Sequence, residues 1–385
     1  MKMFEYRITH RSRKSQARLG ELILPHGKIR TPIFMPVGTV GAVKTMTPED
    51  LIEVGSEMIL ANTYHLYLRP GDKLVSEMGG LNNYIKWPFP ILTDSGGYQV
   101  FSLGEGIRNL LSSKLQKAKI TDNGVIFCSH LDGKKHLMTP EKSIRIQKNL
   151  GSDLIMAFDD CPIGSASKDR VKEALERTFA WYKRCETEHR KTGGGELVPI
   201  CQGGKFKDLR ELSCHFLNET EAPVLAVGGV SVGEEKKDIY KVAGWCADIL
   251  DYKRPRYLMG VGYPEDIAEV VKRGIDMFDC VLPTRLARHG SVWVKSKKKN
   301  ARKIEGVAYG YEQINLMQGK YTGDKTTLDN NCRCKLCRTK FSKSYLRHLL
   351  KEREPLGIHL LTVHNLTFVF DLISDLRFAI KNNSF

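Results

Sequence analysis

Short apolar runs that end in polar or glycine residues recur along the chain, each followed by a segment of helical character. The runs occupy residues 58–62, 91–94, 154–160, 197–202, 224–229, 257–262 and 277–281. Their continuous apolar character predicts strands buried on both faces, as in a parallel sheet. Helix-start signals stand between them, notably Thr47-Pro48-Glu49, Thr139-Pro140-Glu141 and Pro264-Glu265-Asp266. The first 35 residues follow a different rhythm. Residues 4–8, 19–24 and 29–34 alternate like strands around a Pro25-His26-Gly27-Lys28 turn, which predicts a small β cap over residues 1–35.

Strand and helix alternating in this way predict an α/β fold, a (β/α)8 TIM barrel over residues 36–294, with polar residues gathered at the strand ends where such barrels act. A doubly wound sheet is the competing arrangement, but Gly260-Val261-Gly262 is not completed to a dinucleotide fingerprint and no P-loop is present. Residues 295–365 read as a basic metal-binding subdomain, and residues 366–385 as a C-terminal helix closing the barrel.

Composition narrows the partners. The 385 residues carry 60 Lys and Arg against 44 Asp and Glu, a formal charge of +16, which draws polyanions such as RNA. Basic stretches at 295–303 and 338–353 are candidates to track a phosphate backbone. No apolar signal core opens the chain and no unbroken apolar run of about 18 residues appears, so a cytoplasmic protein without a membrane span is expected.

Three of the ten cysteines, Cys332-x-Cys334-x-x-Cys337, fall within six residues and predict a structural zinc site rather than disulfides. His348, His359 and His364 compete for the fourth place, and spacing does not choose among them.

Asp94, Asp159 and Asp279 each stand at the end of an apolar run. In a barrel all three face one mouth, together with Gln202 and the Gly228-Gly229 pair. Paired carboxylates suit cleavage of a glycosidic bond, one acid attacking the sugar and the other handling protons. Glycines that admit close backbone approach, beside a Gln that both donates and accepts, suit a purine edge. An ordinary sugar-directed glycosidase would account for the acids but not for the cysteines, the base-reading set or the charge.

Seven blocks then resemble the tRNA-guanine transglycosylase family, over nearly the whole chain. They are Phe34-Met35-Pro36-Val37-Gly38-Thr39, Asn62-Thr63-Tyr64-His65-Leu66, Thr93-Asp94-Ser95-Gly96-Gly97-Tyr98-Gln99, Ser129-His130-Leu131-Asp132-Gly133, Ala226-Val227-Gly228-Gly229, Tyr257-Leu258-Met259-Gly260-Val261-Gly262 and residues 276–285. The resemblance implies a homodimeric enzyme that exchanges the wobble guanine of tRNA for a 7-deazaguanine through a covalent intermediate, without a nucleotide cofactor.

It further implies Asp279 as nucleophile, Asp94 as general acid/base, and a base pocket of Ser95, Gly96, Gly97, Tyr98, Asp159, Cys161, Gln202, Gly228, Gly229 and Met259. RNA contacts are implied at Gly260, Val261, Gly262, Tyr263, Pro264, Glu265 and Asp266, and at Thr284, Arg285, Leu286, Ala287 and Arg288. His364 is implied as the fourth ligand, completing Cys332, Cys334 and Cys337. Departures at Cys201, at residues 160–164 and at 230–231 leave two incoming bases open, the precursor 7-aminomethyl-7-deazaguanine (preQ1) and queuine itself, with Cys161 and Val232 favouring the precursor. A non-catalytic tRNA-binding subunit is the alternative of another class, and the presence of both Asp94 and Asp279 speaks against it.

Overall fold

The computed structural model describes residues 4–97, 118–230 and 235–385. Its first three strands, β1 (Glu5–Arg11), β2 (Arg18–Leu24) and β3 (Gly27–Thr31), form an antiparallel sheet. The expected third strand through Phe34 is broken at Pro32, which has no amide hydrogen to continue a ladder. A new strand, β4 (Ile33–Gly38), starts there in a different sheet.

That sheet closes on itself. Its parallel order runs through β4, β5 (Ile59–Ala61), β6 (Ile91–Thr93), β10 (Leu154–Met156) and β11 (Glu196–Val198) on one side. On the other side β4 pairs with β15 (Met277–Cys280), then β14 (Arg256–Leu258), β13 (Leu225–Val227) and β12 (Ile200–Cys201). β11 and β12 are one apolar run interrupted at Pro199, so a single bent strand pairs with β10 through its first half and with β13 through its second. Eight strands therefore make a (β/α)8 barrel, and the seven runs legible in the sequence are joined by β4 as the eighth.

Alternate residues divide between two cores, as burial on both strand faces requires. Ile33, Met35, Leu60, Leu92, Leu154 and Met156 point into the barrel, where Leu22 and Ile29 of the cap pack against them. Phe34, Ile59, Ala61, Ile91 and Ile155 face the surrounding helices. The cap closes the N-terminal end of the barrel. Asp153, one residue before β10, accepts from the His26 amide at 3.0 Å, and Asp276, before β15, pairs with Arg18 at 2.6 Å. The opposite mouth is left to the strand C-termini.

The start signals hold up locally. Thr47 caps the helix Pro48–Val54 in a reciprocal capping box with Asp50, and Thr139 caps Pro140–Leu150. Between β6 and that helix lies an antiparallel sheet of β7 (Lys119–Thr121), β8 (Gly124–Cys128) and β9 (Lys135–Met138).

Beyond β15 and the helix Leu282–Arg288, a third antiparallel sheet pairs β16 (Ser291–Ser296), β17 (Arg302–Lys303) and β18 (Gly310–Asn315). The last helix, Pro355–Lys381, is continuous through residues 365 and 366, so the metal-binding segment and the closing helix share one element. It is long and apolar enough to cross a membrane, but 78% of its apolar window is buried inside the protein. Its neighbours are β4, β16 and the helix Leu282–Arg288, which makes it a core helix.

Candidate active site and metal centre

Asp279 sits at the C-terminal end of β15, half-buried, and its Oδ1 accepts from the Tyr257 hydroxyl at 2.7 Å and the Gly260 amide at 3.1 Å. Burial raises its carboxyl above the usual range, and those two bonds hold it back. The Tyr257 phenol is pushed far up by burial, then by the charge of Asp279 and, more weakly, by that of Asp94. Both acids therefore act on the same hydroxyl.

Asp94, just after β6, is held by the preceding strand's loop. Thr63 N and Gly96 N donate to its Oδ1 at 2.9 and 3.1 Å, and Asn62 Nδ2 donates to Oδ2. Asn62 also caps the helix Thr63–Leu68, so one side chain orients the acid and starts a helix.

The third acid lies deeper. Asp159 is buried, with Gln202 Nε2 donating to Oδ2 at 2.6 Å and Ser95 Oγ to Oδ1 at 3.3 Å. Burial lifts its carboxyl to about 6, with the charge of Asp160 adding and the Gln202 and Ser95 bonds opposing. Asp160 itself is clamped behind the pocket wall by Arg170 and Arg177, each at 2.7 Å.

Gln202 Oε1 is buried and has no hydrogen-bond partner among the described residues. Leaving an acceptor so costs about 1–3 kcal/mol, a deficit that a ligand's N–H would relieve. Gly229, at φ +63°, faces that oxygen; a Cβ there would fall 2.1 Å from it, and one at Gly228 would fall 3.4 Å from Met259 Sδ. Gly97 similarly lies against Asp159 and Ser95. Cys161 stands beside them with its thiol pushed up by burial and by Asp159. Tyr98 lies outside the described residues.

The expected RNA-contacting segments are mixed. Gly260 and Arg285 are exposed, and Tyr263, Leu286 and Arg288 are half-buried. Val261, Gly262, Pro264, Asp266, Thr284 and Ala287 are buried, so they shape the backbone rather than present side chains. Glu265 is bound to Lys236 at 2.6 Å, and Asp266 to the same lysine at 2.9 Å.

Cys332, Cys334, Cys337 and His364 converge, with one ligand atom from each lying within 4.8 Å of all the others. Cys334 Sγ and Cys337 Sγ are each 3.5 Å from His364 Nδ1. His364 Nε2 donates to the Trp293 carbonyl at 2.7 Å, which leaves Nδ1 as the lone-pair nitrogen for a metal. Three sulfurs and an imidazole fit a closed structural zinc site. His359 instead contacts the Thr45 carbonyl at 2.8 Å, and His348 lies on the helix Lys343–Lys351 outside the cluster.

Two holding residues have no signal in the sequence. Tyr257 looks like part of an apolar strand, and Arg210, fully buried and bonded to the Gly229 carbonyl at 3.1 Å, looks like a helix surface residue. Only the long-range contact gives either one a role.

Comparison with known proteins agrees with this geometry. The profile of the family described as Queuine tRNA-ribosyltransferase matches residues 12–385. A Queuine tRNA-ribosyltransferase of Halothermothrix orenii is 46% identical over 379 residues, covering 98% of this chain and 94% of its own. Proteins of the same name from Fusobacterium nucleatum and Lactococcus lactis subsp. lactis are 45% and 44% identical, covering 96% and 99% of this chain and 92% and 93% of theirs. A barrel with acids and glycines gathered at its C-terminal mouth, a Cys3His group and this similarity from end to end place the chain in the queuine tRNA-ribosyltransferase family, pentosyltransferases of tRNA guanine transglycosylation.

Proposed function

We propose that the enzyme exchanges the wobble guanine in the anticodon loop of tRNAs with GUN anticodons for preQ1, by double displacement through a covalent enzyme–RNA ester. The observation that carries this reading is the Asp279 carboxylate, whose Oδ1 is held by Tyr257 and Gly260 while Oδ2 accepts from no other residue among the described residues.

Asp279 Oδ2 attacks the ribose C1′. The C1′–N9 bond breaks, its electron pair leaves with guanine, and Asp94 supplies the proton that neutralises the departing base. The entering base then gives its N9 proton to Asp94, N9 attacks C1′, and the ester bond to Asp279 breaks. Two inversions retain the configuration at C1′. The bonds exchanged are alike, so the reaction requires no nucleotide cofactor.

Asp159, the orphaned Gln202 oxygen and the Gly229 backbone read the purine edge, and Met259 covers a ring face. Tyr98 is assigned the opposite face by the family resemblance alone. An unpaired loop base suits the site because it is cheap to extrude. Lys295, Lys297, Lys298, Lys320 and Lys343 line a groove of about 640 Å³ that suits an RNA backbone. The Cys3His group holds one structural zinc ion, inferred from the soft donor set. None of the ten cysteines is joined in a disulfide, which accords with a cytoplasmic enzyme. Its homodimeric state rests on the family resemblance.

The test offers preQ1 and queuine separately to the enzyme with tRNA labelled at the wobble guanine, then repeats the assay with Asp279→Asn. Label release with preQ1 but not queuine, and loss of the denaturation-resistant protein–RNA adduct in the variant, are expected. An adduct unchanged in Asp279→Asn moves the nucleophile elsewhere. Release of no label with either base, while tRNA still binds, leaves a tRNA-binding subunit in place of an enzyme.

A further inference from the structure

A second sulfur cluster lies against the barrel wall, apart from the Cys3His group. Cys201 on β12, Cys214 on the helix Lys207–Asn218 and Cys246 on the helix Lys236–Ile249 are all fully buried. Cys201 Sγ is 3.6 Å from Cys214 Sγ and 3.8 Å from Cys246 Sγ, and the three sulfurs all lie within 4.8 Å of one another. Metal–thiolate bonds of about 2.3 Å at a tetrahedral ion set sulfurs about 3.8 Å apart.

A second, independent observation is electrostatic. Arg210 is fully buried, and its guanidinium donates to the carbonyls of Cys201, Gly204 and Gly229 at 2.7, 2.8 and 3.1 Å. No carboxylate lies within ion-pair distance of it among the described residues, and its Nη1 is 3.8 Å from Cys201 Sγ. A buried cation is costly without a counter-charge, and with none among the described residues the guanidinium favours an anion in the sulfur cluster beside it.

We propose that Cys201, Cys214 and Cys246 form a second metal site, binding a thiophilic divalent cation of the zinc class as three thiolates, with Arg210 balancing the charge. Binding releases three thiol protons. Three thiolates and a divalent ion carry one net negative charge, which the guanidinium cancels; a monovalent ion would leave one charge unbalanced. The ion ties β12 to two helices immediately before Gln202, whose amide donates to Ser213 Oγ at 3.2 Å on the same helix as Cys214. Its role is to hold that strand end in place, and it takes no part in bond exchange.

Full-length protein purified under reducing conditions decides the matter by elemental analysis and by anomalous diffraction at the zinc edge. Two ions per chain are expected, with one anomalous peak between the three sulfurs and another at Cys332, Cys334, Cys337 and His364. The double variant Cys214→Ser and Cys246→Ser loses one equivalent and only the first peak. A single ion per chain, with no anomalous density in the triangle of wild-type sulfurs, overturns the proposal. The wild-type map gives the answer even if the variant does not fold, and a peak at the copper edge in place of zinc overturns the assignment to the zinc class.

Discussion

The bond from the Tyr257 hydroxyl to Asp279 is a charge-assisted one, worth about 1.5–3 kcal/mol, and it holds the acid's proton affinity down. Replacing Tyr257 by Phe removes a donor to the ionised form, so the carboxyl titrates higher. The acidic limb of the kcat profile is expected to move to higher pH, with kcat at neutral pH falling about tenfold. An unshifted acidic limb would mean that this hydroxyl does not tune the nucleophile. Asp159 gives the complementary case. Its carboxyl is lifted to about 6, and the ionised form is the one that accepts from a purine N–H. Base affinity should hold above that pH and weaken about tenfold by pH 5, as titration calorimetry would measure. Asp159→Asn should bind weakly at every pH; a variant that keeps the wild-type pH dependence would assign it to another group. At this scale the sequence exposed the acids, because each ends an apolar run, but not the tyrosine, whose hydroxyl meets Asp279 across 22 residues of chain.

Strand ends and helix starts carry the site's shape. Gly229 follows β13 with φ +63°, and an alanine there would place its Cβ 2.1 Å from Gln202 Oε1. Gly229→Ala should therefore cost about 1–3 kcal/mol in unfolding free energy and displace Gln202, weakening base binding while tRNA binding persists. Equal loss of both affinities would point to general unfolding instead. The last helix has a different dependence. His364 lies inside it and is oriented by the Trp293 carbonyl, so a metal held by the Cys3His group would join this helix to the loop bearing Cys332 and Cys334. Chelation, or His364→Ala, should lower the melting temperature on the order of 10 °C and release the bound ion. A chelated protein that melts unchanged would make the metal dispensable for folding. Element positions were largely readable, since Thr47 and Thr139 announce their helices by capping chemistry. The continuity of Pro355–Lys381 was not, because a metal-ligating type of residue such as His364 inside a buried helix has no local signature.

The molecule as a whole carries +16 and presents a lysine-lined groove on the subdomain beside the barrel. Neutralising six to ten phosphates would make tRNA affinity drop about 10³- to 10⁵-fold between 50 and 200 mM salt. Substituting the exposed Lys297 by Ala should reduce the slope of log affinity against log salt by about 1, which filter binding across a salt series would show. An unchanged slope would remove this groove from the RNA path. Part of the second basic stretch is already paired within the protein, for Arg338 meets Glu53 at 2.7 Å, so charge counting along the chain overstates what is available to RNA.

Apolar runs, capping residues and the spacing of three cysteines are local patterns, and they were enough to determine the alternation of strand and helix, the acids at strand ends and a metal-binding subdomain. Barrel closure was decided by tertiary structure, because one strand bent at Pro199 must pair with β10 and β13 at once. Spacing left His348, His359 and His364 open and only the family resemblance pointed to His364; its physical ground is tertiary, a nitrogen lying 3.5 Å from two sulfurs and its partner nitrogen bonded to Trp293. Burial and long-range contact belong to the folded state alone. They also turn Gln202 from a polar residue at a strand end into a buried acceptor without a partner among the described residues.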